Sequence, residues 1–432
     1  MKVYFFALIL FFAGIMRAFP AQHEHSESMQ MNTSTSLVDE FLMQQGSGTA
    51  SNPSSSPMHM SMYEKNGWNL MFHNLVYFNY TNQSGPRGRD KFFSTNWFMV
   101  MANRPLGSGR LMIRAMLSLE PATVPDRSYP ELFQTGETAF GRALVDGQHP
   151  HDLFMEIAAQ YVHPLNERTL FHFYYAPVGD PAIGPVAYPH RVSAMELPQA
   201  PLSHHLQDST HIVNNVLTAG IQSGPFQLQV SGFHGAEPGE NRWDLDFGAI
   251  DSWSTRLQYS PDPDWSGQFS IGRLKKPEAL EEGDIVRMTA SATYNRPLSG
   301  GFWATSFIWG RNHKIPEKRN TNSYLVESVY QFQNRNYLTG RFEFVDKDEL
   351  FVDSEDPYVL ANDLENQVFK IKAFTAGYSR NFDLIKGFET GFGGNVTLYA
   401  KPSVLDPVYG KHPTGVYFYF RLRPGAHQHG HH

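Results

Sequence analysis

From Trp68 onward the sequence alternates apolar and polar residues with a period of two. In DIVRMTASATYNR, Val286, Met288, Ala290, Ala292 and Tyr294 share one face, and Arg287, Thr289, Ser291, Thr293 and Asn295 share the other. RLMIRAMLSLE repeats the pattern, with Leu111, Ile113, Ala115, Leu117 and Leu119 against Arg114, Ser118 and Glu120. GFETGFGGNVTLYAK sets Phe388, Phe392, Val396 and Leu398 against Glu389, Asn395, Thr397 and Lys401. Alternation sustained over about ten residues predicts a strand with one apolar and one polar face.

Sixteen such segments are predicted, beginning near residues 67, 91, 109, 153, 168, 214, 226, 252, 265, 285, 301, 322, 336, 368, 387 and 415. The connections fall into two classes in turn. Short ones include PLGSG, PLNE, SGP, PDPD, RPLSGG, QNRN and DLIKG; long ones include 121–152, 177–213, 235–251 and 346–367. An even strand number with short turns at one end and long loops at the other predicts an all-β fold, a transmembrane antiparallel β-barrel of about sixteen strands. Its long extracellular loops are expected to fill part of the mouth, with both termini at the periplasmic end. The polar faces carry Arg114, Glu156, Arg287, Arg341, Glu343 and Lys401, too many charges for a dry interior, so they are assigned to the lumen and the apolar faces to lipid. Trp68, Tyr80, Phe92, Tyr161, Trp265 and Tyr399, near segment ends, are expected in interfacial girdles.

Charged residues make up 18% of the chain and aromatic residues 14%, in keeping with a lipid-facing surface. The net charge of −7 offers no basic face for nucleic acid. There is no cysteine, which excludes disulfides, thiolate metal sites and a cysteine nucleophile. Residues 1–21, with Lys2 before an apolar run and small residues after it, read as a secretory signal peptide. Residues 22–65 read as a flexible periplasmic segment rich in Ser, Met and His, 66–423 as the barrel, and 424–432 as a His-rich tail.

Histidine and methionine carry the candidate chemistry. VDGQHPHDLF offers His149, His151 and Asp152; the next long loop offers His190, then His204, His205, Asp208 and His211 in PLSHHLQDSTHIV. A helical turn there stacks His204 on Asp208 at i, i+4, and imidazole with carboxylate suits copper or zinc. The same residues also suit a hydrogen-bonded clasp between two loops. Ser203, His204 or His211, and Asp208 have the types of a hydrolytic triad, but so close a spacing and the lack of a GxSxG elbow argue against catalysis. His23, His25, Met29 and Met31, with Met58, His59, Met60 and Met62, and the tail histidines 427, 429, 431 and 432, form further soft-ligand tracts. Met71, His73, Met99, Met101, Met112 and Met116 are expected to point into the lumen, where filler is the simpler role for methionine.

ALVDGQHPHDLFMEIAAQY, HRVSAMELPQAPLSHHLQDSTHI and GENRWDLDFGAIDSWS resemble a family of exported Gram-negative proteins with no assigned activity. That resemblance implies bacterial origin and the barrel class. The His/Met-rich segment before a barrel is similar in outline to copper-resistance outer-membrane proteins of the CopB type. The expected function is passage or surface binding of a small solute, linked to transition-metal handling with copper first. A structural or adhesin barrel and an outer-membrane lipid hydrolase are the alternatives. Expected partners are outer-membrane lipid and a small solute or metal ion, not nucleic acid.

Overall fold

The computed structural model describes residues 36–279 and 283–425. Seventeen strand segments close into one antiparallel barrel. They are β1 (Met60–Lys65), β2 (Trp68–Gln83), β3 (Asp90–Leu106), β4 (Gly109–Leu117), β5 (Phe154–Pro164), β6 (Thr169–Gly179), β7 (Val213–Ser223) and β8 (Phe226–Phe233). The chain continues through β9 (Ser252–Tyr259), β10 (Trp265–Leu274), β11 (Ile285–Leu298), β12 (Gly301–Lys314), β13 (Arg319–Phe332), β14 (Asn336–Lys347), β15 (Phe369–Phe382), β16 (Phe388–Ala400) and β17 (Thr414–Pro424). The ring has sixteen positions because two segments share one. The first part of β2 pairs with β1 (Trp68 opposite Lys65, His73 opposite Met60), and the rest pairs with β17 (Val76 opposite Leu422, Gln83 opposite Gly415).

The two faces separate as the alternation predicts. Phe173, Tyr175, Leu228, Val230, Phe307 and Phe374 stand exposed on the outside, whereas Arg114, Arg256, Arg287, Glu327, Arg341 and Arg421 are buried inside. A contiguous apolar outer surface of this kind belongs in lipid. No helix among the described residues is long and apolar enough to cross a membrane, so the crossing elements are strands. At the short-turn end Phe226 packs on Tyr259, Trp265 on Tyr294, and Tyr294 on Trp303, a girdle of rings at strand ends. Tyr399 does not join a girdle. It shares the inward face with Asn395 and Thr397 and packs against Phe133, from the loop after β4, at 5.2 Å.

The lumen is filled. Residues 46–57, read from sequence as a flexible linker, are threaded through it instead. A helix, α1 (Leu37–Met43), packs Val38, Phe41 and Leu42 against Met71, Met112, Val162 and Leu170 of the wall. Beyond it Arg114 donates to the Gly48 carbonyl (2.7 Å), Arg256 to the Thr49 hydroxyl (2.9 Å), and Ser266 to the Ser51 carbonyl (2.8 Å). Ser/Thr/Asn-rich chain cannot make an apolar core, but a polar wall does not ask for one. His59 and Met60 are also part of the fold, His59 beside Glu389 at 3.6 Å and Met60 buried with Met71. Met99 and Met116 pack with Met155, Val178 and Ile212, so these thioethers fill apolar gaps. The predicted signal peptide, His23, His25, Met29, Met31 and the tail histidines lie outside the described residues.

Candidate functional site

The loop 180–212, between β6 and β7, crosses the lumen from wall to wall. Its Ala182 N–H donates to Ser231 of β8 (2.8 Å) and its Gly184 N–H to Ser270 of β10 (2.9 Å). Arg191 bonds Glu327 of β13 (2.5 Å), and Glu327 also holds Arg341 of β14 (3.0 Å). On the far side Gln199 reaches Asn395 of β16 (2.9 Å), and Glu196 pairs with Arg421 and Arg423 of β17. Tyr77 of β2 donates to the Met195 carbonyl. At the loop end of the barrel Leu132, Phe133, Leu202, Leu206, Phe351 and Tyr409 pack into one apolar cap.

Under this cap the two histidine-bearing loops meet. His204–Gln207 forms a single helical turn, which brings Nδ1 of His204 within 2.7 Å of Asp208 Oδ1. The other Asp208 oxygen accepts from the Tyr188 N–H (2.9 Å) and from Arg191 (3.0 Å). His149 and His205 lie with ring centroids 6.1 Å apart, and His204 and His205 5.1 Å apart. One ring nitrogen from each of His149, His204 and His205 falls within 4.8 Å of the others. His151 and His211 stand next to this group, 5.5 Å from each other, with His211 5.3 Å from His204. Gly136, at φ +116°, passes so close that a Cβ there would come within 2.5 Å of the His205 ring.

The remaining sequence-predicted residues have other partners. His151 contacts Glu120 through Nδ1 (3.0 Å), and His211 donates its Nδ1 proton to the Asp208 carbonyl (2.7 Å). Asp152 accepts from Arg242 (3.2 Å). His190 leaves the cluster altogether and packs on Trp97 of β3 at 4.4 Å. The Ser203 hydroxyl donates to Glu343 (2.9 Å), not to His204, so the Ser/His/Asp types do not assemble as a triad. Sequence reading missed Glu120, Glu137 and Arg242. Glu137 lies 2.9 Å from His149 Nε2 and 2.5 Å from Arg242. Arg242 sits inside GENRWDLD, a segment quoted for its resemblance, but nothing in its spacing announces these contacts.

Burial and neighbouring charges shift the titration of these groups in opposite directions. Burial lowers the pKa of His204, and carries His205 and His211 well below the usual histidine range, which favours the neutral ring with its lone pair. Burial also opposes a charge on His151, but the Glu120 carboxylate outweighs it and raises that pKa. Burial would raise Asp208, yet His204 and Arg191 hold it below the usual carboxylate range. Asp152 is lifted by burial to about 6 in spite of Arg242. The arrangement provides neutral imidazoles backed by an anionic carboxylate, which is competent for metal coordination and equally for a neutral hydrogen-bonded clasp.

No protein-family model and no curated protein matches the chain. Among solved structures, the anion-selective porin from Comamonas acidovorans aligns with a TM-score of 0.50 at 12% identity, over 82% of this chain and 99% of the porin. OmpF from Salmonella typhi, solved in complex with daunomycin, gives 0.50 at 9% identity, over 84% of this chain and 100% of OmpF. The fold is that of outer-membrane porins. Neither porin is a copper-resistance protein, and the CopB-type likeness of the His/Met-rich segment finds no support in them.

Proposed function

We propose that this chain is an outer-membrane channel of porin type, closed by its own interior. The apolar belt and the porin fold support residence in the outer membrane. The short-turn end, where the described chain begins near Ser36 and ends near Gly425, then faces the periplasm, and the loop end faces outward. The observation that carries the reading is the lumen-crossing loop, bonded to β8, β10, β13, β14, β16 and β17 across the space where a solute would pass. Passage requires that this loop or the threaded segment move aside. The walls mix Arg114, Arg256 and Arg287 with Glu156, Glu327 and Glu343, which suits a small polar solute without a strong preference for either sign of charge.

Planar-bilayer recording tests this reading. The intact protein is expected to give small or intermittent conductance, and a variant lacking residues 37–57 a larger and steadier one. A large steady conductance from the intact protein would show that the lumen is not closed. No conductance from either would sink the channel reading and leave a structural or surface-binding barrel.

A further inference from the structure

We propose that His149, His204 and His205 form a binding site for one divalent transition-metal ion, of the zinc and copper class, which staples the loop after β4 to the lumen-crossing loop. The inference does not rest on the channel reading, since it concerns binding alone.

Four observations carry it. First, the three ring nitrogens come from two loops remote in sequence and already lie within 4.8 Å of one another. A tetrahedral site with metal–nitrogen bonds near 2.0–2.1 Å needs them about 3.3 Å apart, a difference that rotation of the rings can close. Second, the buried Nδ1 of His205 has no hydrogen bond, and His149 Nε2 faces the Glu137 carboxylate at 2.9 Å, so a cation between them would meet an unused imidazole nitrogen and an anionic oxygen. Third, the support around His204 is of the kind that fixes a ligand's tautomer. Its Nδ1 faces Asp208, which Arg191 and the Tyr188 N–H hold from the other side, so Nε2 is left as the donor. Fourth, the ligand types select the ion. Three imidazoles with no thiolate or thioether favour a borderline divalent ion over Cu(I), and Glu137, 2.9 Å from His149, is placed to supply a carboxylate oxygen. His190, packed on Trp97, and Asp152, bonded by Arg242, lie outside the site, and His211 does not belong to the group whose ring nitrogens come within 4.8 Å of one another.

The test uses the full-length barrel in detergent, stripped with a chelator and then equilibrated with Zn²⁺ alone. The tail histidines are present in every variant, so the readout is a difference. Wild type is expected to hold one equivalent more than the His149→Ala/His205→Ala double variant, while His190→Ala matches wild type. Equal metal content in wild type and the double variant would overturn the site. If the double variant fails to fold, by loss of heat-resistant migration on gels, Co²⁺ loaded into wild type decides. Intense visible bands of a four-coordinate ion support the site, and only the weak bands of a six-coordinate one refute it.

Discussion

Asp180 is where the two interior segments touch. Its carboxylate accepts from the Ser47 hydroxyl at 2.7 Å, and Gly48 passes close to its backbone at φ +49°. Burial lifts its pKa to about 7, with Arg256 pulling the other way. A carboxyl raised above its unfolded value keeps its proton in the folded state, so its contribution is greatest below about pH 4 and is lost as pH rises through about 7. The protection factors of the Ser47–Ser51 amides, which divide out the intrinsic pH dependence of exchange, should therefore be higher at about pH 5 than at about pH 8. Asp180→Asn should flatten that difference, and an unchanged slope would remove Asp180 as its source. At this scale the sequence was legible where spacing alone decides contact. The i, i+4 step expected from a helical turn at His204 and Asp208 is a contact local enough to read from spacing, and the two side chains lie 2.7 Å apart. Glu120, Glu137 and Arg242 were not legible, because their partners lie a dozen or more residues away in the same loop or on another one, and no period links them.

At the level of elements, the lumen-crossing loop is held by buried charge pairs more than by apolar contact. Glu327 is shared between Arg191 of the loop, which also pairs with Asp208, and Arg341 of the wall. Removing one partner of such a pair leaves buried charge uncompensated, at a cost of about 3–5 kcal/mol. Glu327→Gln should accordingly loosen the loop while the strands stay paired. Limited proteolysis within 180–212 is expected to speed up with no change in far-ultraviolet circular dichroism; unchanged cleavage would mean that the loop is held elsewhere. The threaded segment shows why composition misleads here. GSGTASNPSSSP has the residues of a solvated linker, and in water it would be one. Inside this barrel, Arg114, Arg256 and Gln258 offer its backbone and hydroxyls the partners that water would otherwise supply.

For the whole molecule, the period-two pattern was sufficient, and the strand starts it predicts lie within three residues of those observed. The reason is that a barrel between lipid and a polar lumen imposes opposite chemistry on neighbouring residues, so each strand writes its register into the sequence. What fills the lumen carries no such constraint, since loop and wall are both polar. The outer face yields a direct test. Phe307, midway along β12 and 55% exposed, should cost about 2–4 kcal/mol when changed to Arg, measured by urea unfolding from lipid vesicles. A change near zero would place that residue away from the hydrocarbon.

The strand position shared by β1 and β17 bears on how the ring is made. Every other neighbour pair joins strands that follow one another in the chain, but the seam on β2 needs both ends of the chain at once. Joining points so distant in sequence is slow and comes late. The segment 46–57 leads straight into β1, so the strand that completes the ring and the chain that fills it meet at one seam, and whatever closes the vessel also anchors its contents.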